Sequence, residues 1–69
     1  MKNRNIDLVS INWAVLEDLI DLPGIGESLA LRIIDSRKNN GSFIKLEELM
    51  NVSGIGEKKY EKIKPFICL

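Results

Sequence analysis

The apolar residues of this chain recur at the spacing of one helix face in four short stretches. These stretches predict helices over about 13–21, 27–38, 45–51 and 57–64. Asn12 stands where it can cap the first helix, and Pro65 ends the fourth. Between the second and third helices, Asn39, Asn40 and Gly41 are typical of a helix end followed by a turn. The pattern therefore predicts an all-α fold.

Two segments thirty residues apart repeat each other. Leu16–Glu27 aligns with Leu46–Glu57, with the same Leu, Glu, Leu, Gly, Ile, Gly and Glu in register. Such self-similarity in so short a chain indicates an internal duplication. Each copy reads as a helix, a tight Gly-Ile-Gly hairpin and a second helix. An isoleucine between two glycines is a poor choice for a free loop, so Ile25 and Ile55 are expected in the core.

The predicted hairpins have a chemical consequence. Each hairpin leaves unpaired backbone N–H groups at the start of the helix that follows, where the helix dipole adds partial positive charge. Such a place suits a phosphate oxygen, and glycine lets the phosphate approach the main chain. Gly26→Ala is expected both to strain the turn and to block the phosphate. Two such places on one small domain suggest a ligand with two phosphate rows, namely duplex nucleic acid.

Composition and charge narrow the function further. The net charge is zero, but residues 57–69 carry an excess of two positive charges beside the second hairpin. These lysines form either a DNA-binding surface or an ordinary solvated helix face. The chain has one cysteine and no histidine, so neither a disulfide framework nor a catalytic or metal centre is expected. There is also no apolar run of membrane-spanning length.

Four other features carry expectations. Residues 6–9 are expected to lie against the body as part of an extended N-terminal arm. Phe43 should enter the core, and the apolar tail Phe66–Leu69, which contains Cys68, should pack back on the helices. Trp13 is expected to cover the edge of the core, and the other interpretation is that it stacks on a partner. Lys58 and Lys59 are expected to be exposed.

The spaced residues resemble a known family. The order Val-x-Ile-Asn-x-Ala-x-x-Glu-x-Leu over 9–19 precedes Leu-Pro-Gly-Ile-Gly over 22–26. It continues with Ala-x-x-Ile-Ile-x-x-Arg-x-x-x-Gly-x-Phe over 30–43, a second Gly-Ile-Gly followed by lysine, and Ile-Lys-Pro-Phe-Ile over 63–67. Nearly the whole chain is similar to the DNA-binding domain of the bacterial competence DNA receptor ComEA.

The resemblance implies a tandem helix-hairpin-helix fold with four main helices and pseudo-twofold symmetry, a SAM-like small helical domain. Residues 1–69 would form one domain, with an arm over 1–11, motif one over about 13–38 and motif two over about 45–64. It also implies binding of double-stranded DNA without sequence preference, with the two hairpins straddling the minor groove. The implied DNA-binding residues are Gly24, Ile25, Gly26, Ser28, Gly54, Ile55, Gly56, Lys58, Lys59 and Lys62.

The resemblance also sets expectations for partners and location. A monomer without enzyme activity, small-molecule substrate or membrane contact by this segment is expected. No cofactor is expected, although hairpins of this kind can hold a monovalent cation through main-chain carbonyls. If the chain is a fragment of a competence receptor, it would lie outside the cytoplasmic membrane, anchored to it. Otherwise it would be cytoplasmic.

The first hairpin departs from the family pattern. Glu27, Ser28 and Leu29 follow it without a lysine, so the second hairpin is expected to hold DNA more tightly. Glu27 either opposes phosphate or stabilises the dipole of its own helix. The alternative function is a structural or protein–protein interaction module of the same fold, in which DNA binding is weak or lost.

Overall fold

The fold is all-α, with a small addition of parallel strand. The computed structural model describes residues 8–69; the prediction for residues 1–7 of the arm lies outside the described residues. The helices are α1 (Leu16–Ile20), α2 (Glu27–Asn39), a 3₁₀ helix (Leu46–Asn51), α3 (Glu57–Ile63) and a 3₁₀ turn (Lys64–Phe66). Strands β1 (Val9–Ser10) and β2 (Ile67–Cys68) pair in parallel and join the two ends of the described chain.

The start of the first helix was predicted wrongly. Helix α1 begins at Leu16, after an extended Val15, and Trp13 lies in a preceding turn. Asn12 does not cap this helix, because its side chain is used by Phe43. The Asn12 side-chain NH₂ donates to the Phe43 carbonyl, and the Asn12 side-chain oxygen accepts from the Phe43 N–H. The hydroxyl of Ser10 instead accepts the backbone N–H of Trp13 at 3.1 Å and closes the turn.

The other helices agree with the sequence pattern except in type. Helix α2 and helix α3 lie within one or two residues of the predicted bounds. The segment predicted as the third helix is a 3₁₀ helix rather than an α-helix. Its six residues lie between extended Lys45 and extended Val52, and so short a segment gains little from α-helical hydrogen bonds.

The core repeats the thirty-residue offset of the sequence. Both hairpin isoleucines are buried as predicted, with Ile25 3 % and Ile55 2 % exposed. Phe43 is also in the core. The core residues that pair across the offset are Leu19 with Leu49, Leu22 with Val52, Ile25 with Ile55, Ala30 with Tyr60, and Ile33 with Ile63. The two copies therefore contribute equivalent positions to one core.

The arm and the tail pack on this core through a few specific bonds. Ile67 is buried and Cys68 is half-buried, whereas Phe66 is largely exposed, so the tail packs back only in part. The Arg37 guanidinium donates to the carbonyls of Ile11 at 3.0 Å and Ala14 at 2.6 Å. Trp13 does not cover the core edge as expected, since 81 % of its surface is exposed.

No helix within residues 8–69 has the length and apolar character needed to cross a membrane.

Candidate nucleic-acid interface

The two hairpins have nearly the same backbone. In each, the amide of the isoleucine donates to a carbonyl three residues earlier: Ile25 to Leu22 at 3.1 Å and Ile55 to Val52 at 3.0 Å. The first glycine has a positive φ in both copies, 79° at Gly24 and 95° at Gly54. These angles favour glycine, because a side chain there would be strained. The local sequence thus accounts for both turns.

The second glycine of each hairpin caps the next helix. Gly26 has φ −95° and ψ −174°, and Gly56 has φ −96° and ψ −172°. Neither needs glycine for its backbone, and a Cβ built on either would have no neighbour within 4 Å. The expected strain at Gly26 is therefore wrong. A side chain at either position would occupy open space next to the start of the helix.

The unpaired amides lie just after this capping glycine. A glycine cap has no side chain that could accept a hydrogen bond, and within residues 8–69 the amides of Gly26, Glu27 and Ser28 donate to no protein oxygen. The equivalent amides of 56–58 are also unpaired in that part of the chain. Ile25 and Ile55 differ, because their side chains are buried and their amides are used within the turn. Each copy therefore offers a short row of free backbone donors.

The positive charges beside the first hairpin come from the second motif. Lys59 is half-buried rather than exposed as expected, and its Nζ donates to the carbonyl of Gly24 at 3.2 Å. Gly24 and the side chains of Lys58, Lys59 and Lys62 line a surface depression of about 400 Å³. The first hairpin lacks a lysine of its own, but helix α3 places three beside it.

The second hairpin receives an arginine from the first motif. The Arg32 guanidinium on helix α2 donates to the carbonyl of Ser53 at 3.1 Å. The same side chain and Leu29 pack against Gly54, where a Cβ would lie 3.0 Å from Arg32 and 2.6 Å from Leu29. Sequence reasoning missed Arg32. The thirty-residue offset could have found it, because Arg32 aligns with the predicted site residue Lys62.

Each hairpin is therefore completed by the helix of the other copy. Lys59 and Leu29 are equivalent across the offset, and each packs on the first glycine of the opposite hairpin. The arrangement brings Gly24 together with Lys58, Lys59 and Lys62 of the other motif, whereas the side chains of Ile25 and Ile55 lie in the core. Glu27 and Glu57 are exposed in the first turns of helices α2 and α3, so one carboxylate stands near each row of free donors.

Comparison with known proteins gives the family. Residues 4–68 match the family described as "Helix-hairpin-helix motif". The chain belongs to the helix-hairpin-helix family. Its resemblance to the competence receptor is confirmed, since it is 52 % identical over 62 residues to "ComE operon protein 1" of Bacillus subtilis.

Other relatives share the same region. The chain is 40 % identical over 65 residues to the human "Endonuclease/exonuclease/phosphatase family domain-containing protein 1". It is 37 % identical over 57 residues to an uncharacterized protein of Haemophilus influenzae. These matches cover 90 %, 94 % and 81 % of this chain but 30 %, 11 % and 51 % of the respective relatives. The chain thus spans from about a tenth to about half of their lengths.

Proposed function

We propose that this domain binds double-stranded DNA without sequence preference, its two hairpins contacting phosphates on the two strands across the minor groove. The observation that carries the proposal is the crossed placement of cations. Lys59 is anchored on the first hairpin and Arg32 on the second, each from the opposite motif. Membership of the helix-hairpin-helix family and the likeness to the Bacillus protein support the same function.

The chemistry of the two hairpins fits phosphate rather than bases. Free backbone N–H groups can donate to any phosphate oxygen, and contacts to the DNA backbone carry no sequence information. Lys58 and Lys62 are exposed on helix α3, and with Lys59 they add positive charge beside Gly24. Because the net charge of the chain is zero, we expect weak binding, on the order of micromolar at physiological salt.

We further propose that the domain itself is not an enzyme. Residues 8–69 contain no group of three His, Cys, Asp or Glu side chains placed to hold a metal ion. The human relative whose name includes an endonuclease/exonuclease/phosphatase domain matches the chain over only 11 % of its length. The monovalent cation at a hairpin stays a prediction. The carbonyls of Gly24 and Ser53 already accept hydrogen bonds from Lys59 and Arg32.

Arg32 provides the sharpest test. We expect Arg32→Ala to weaken binding of a short random-sequence duplex about threefold to tenfold, and to make the salt dependence shallower by about one unit of slope. Lys38→Ala is the matched control, because Lys38 is an exposed cation in the last turn of the same helix and neither lines the depression beside Gly24 nor packs against Gly54. Fluorescence anisotropy at several salt concentrations measures both quantities. Equal losses in the two variants would contradict the crossed arrangement.

An amide NMR titration separates this function from the alternative of a structural or protein–protein module. We expect added duplex to shift the amides of 24–28 and 54–59 at low salt, and the shifts to fade as salt rises. Zero net charge and the two carboxylates at the helix starts favour the alternative. A spectrum that does not change with duplex at low salt would end the DNA proposal and leave the alternative.

A further inference from the structure

Next to the first hairpin, the surface has an open groove of about 690 Å³ that none of the hairpin cations lines. We name it the Trp13 groove; Trp13 lines it together with Leu8, Val9, Phe66, Asp18 and Asp21. Trp13 is 81 % exposed, and Leu8 and Phe66 are each 50 % exposed. Exposed large apolar side chains that cluster around one depression mark an interaction site, whereas singly scattered ones are common on any protein surface.

The charges around this groove favour a positively charged partner. Asp18 and Asp21 are both exposed and line it, and none of the side chains lining it in the described part of the chain is basic. Two carboxylates repel the phosphates of DNA and attract lysine or arginine. The groove adjoins the first hairpin at Pro23 but contains none of the cations that complete either hairpin.

We propose that the Trp13 groove binds a segment of another protein that carries a bulky apolar side chain next to lysine or arginine. Tryptophan is among the side chains that most often dominate binding energy at interfaces. A small molecule fits less well, because ligand pockets enclose most of their ligand and this groove leaves Trp13 four-fifths exposed. A symmetric pairing of two copies would bring four carboxylates together, which disfavours it.

The sole tryptophan of the chain makes the groove directly observable. Peptides would be selected from a phage-displayed random library on the full chain, with removal of those that also bind a Trp13→Ser variant. We expect the enriched peptides to combine bulky apolar residues with lysine or arginine. A synthetic peptide of that sequence, made without tryptophan, should move Trp13 emission to shorter wavelength as the indole leaves water.

The carboxylates are tested with the same peptide. The double variant Asp18→Asn, Asp21→Asn should bind it about fivefold more weakly at low salt, as expected for two exposed charge pairs. Ile44→Ser is the matched control, since Ile44 is a large apolar residue, 74 % exposed, that does not line the groove. This variant should bind the peptide like the unmodified chain. All of the substituted side chains are exposed, so the fold should survive each change.

Four results would overturn the proposal: no enriched peptide, enriched peptides without basic residues, equal binding by the double variant, or an emission shift caused by DNA duplex instead of peptide. An emission shift with protein concentration alone would also overturn it, because the occupant would then be a second copy. The proposal does not rest on DNA binding. Trp13→Ser should abolish peptide binding and leave duplex affinity unchanged, so failure of one function is distinguishable from failure of the other.

Discussion

At the scale of single residues, the two glycines of each hairpin do different work. Gly24 and Gly54 permit a left-handed turn, whereas Gly26 and Gly56 keep the space in front of a helix start open. The first role concerns stability and the second concerns access to the backbone amides. A substitution at the first glycine should therefore lower mainly the stability, and one at the second glycine mainly the affinity for DNA.

We expect Gly26→Ala and Gly56→Ala to lower the free energy of unfolding by no more than about 1 kcal/mol, because alanine is only a poorer helix cap. Their affinity for duplex DNA should fall about tenfold, since the new methyl group stands where phosphate would approach. Gly24→Ala is the contrasting variant and should lose about 1–2 kcal/mol of stability at φ 79°. Urea unfolding and anisotropy measure the two effects. Unchanged duplex affinity in the capping variants would place the phosphates elsewhere.

The buried isoleucine of each hairpin secures the turn from inside. We expect Ile55→Ala to lower the free energy of unfolding by about 2–5 kcal/mol, because it empties a fully packed core position. Ile44→Ala is the same substitution at a residue that is 74 % exposed, and it should cost less than about 1 kcal/mol. Thermal or urea unfolding compares the two. Similar losses would show that the hairpin apex is not anchored in the core.

At the scale of elements, the segment before α1 is held by side-chain bonds rather than by helix. The Asn12 carboxamide accepts the Phe43 N–H at 2.7 Å and donates to the Phe43 carbonyl at 3.1 Å. This pair joins the start of motif one to the segment just before motif two.

We expect Asn12→Ala to cost about 1–3 kcal/mol, because it leaves both backbone groups of the buried Phe43 without their partner. Asn39→Ala is the matched control at the exposed end of helix α2, where the change should be within about half a kcal/mol. Urea unfolding gives both values, provided that the dependence of the free energy of unfolding on urea concentration is the same in the two variants. If the two variants are equally stable, the two hydrogen bonds to Asn12 stabilise the fold no more than hydrogen bonds to water would.

At the scale of the whole molecule, a chain with no net charge holds four of its ten Lys and Arg side chains beside the two hairpins. Arg32, Lys58, Lys59 and Lys62 lie beside the hairpins, and the carboxylates Asp18 and Asp21 lie in the Trp13 groove. The zero net charge thus hides an uneven distribution.

We expect the logarithm of the duplex association constant to fall with the logarithm of salt concentration with a slope of about −4 or shallower, because four cations can release about that many counterions. Backbone amides contact phosphate without adding to this slope. Anisotropy titrations over a range of salt concentrations measure it. A markedly steeper slope would mean that cations other than these four also contact DNA.

The sequence by itself determined the local structure of both hairpins. Glycine, isoleucine and helix-starting residues act within one turn of chain, so the position of both hairpins, the burial of Ile25 and Ile55 and the bounds of helices α2 and α3 could be predicted. The internal repeat carried the family resemblance, because it records the same local element twice.

Only the tertiary structure decided what depends on how the two copies pack. It placed Lys59 on the first hairpin and Arg32 on the second. It also bonded the Asn12 side chain to Phe43 instead of to the start of a helix, and left Trp13 exposed. These contacts join residues far apart in the chain, and periodicity along the chain contains no distance between such residues. The hairpins are therefore local properties, whereas their completion by cations is a property of the packed pair.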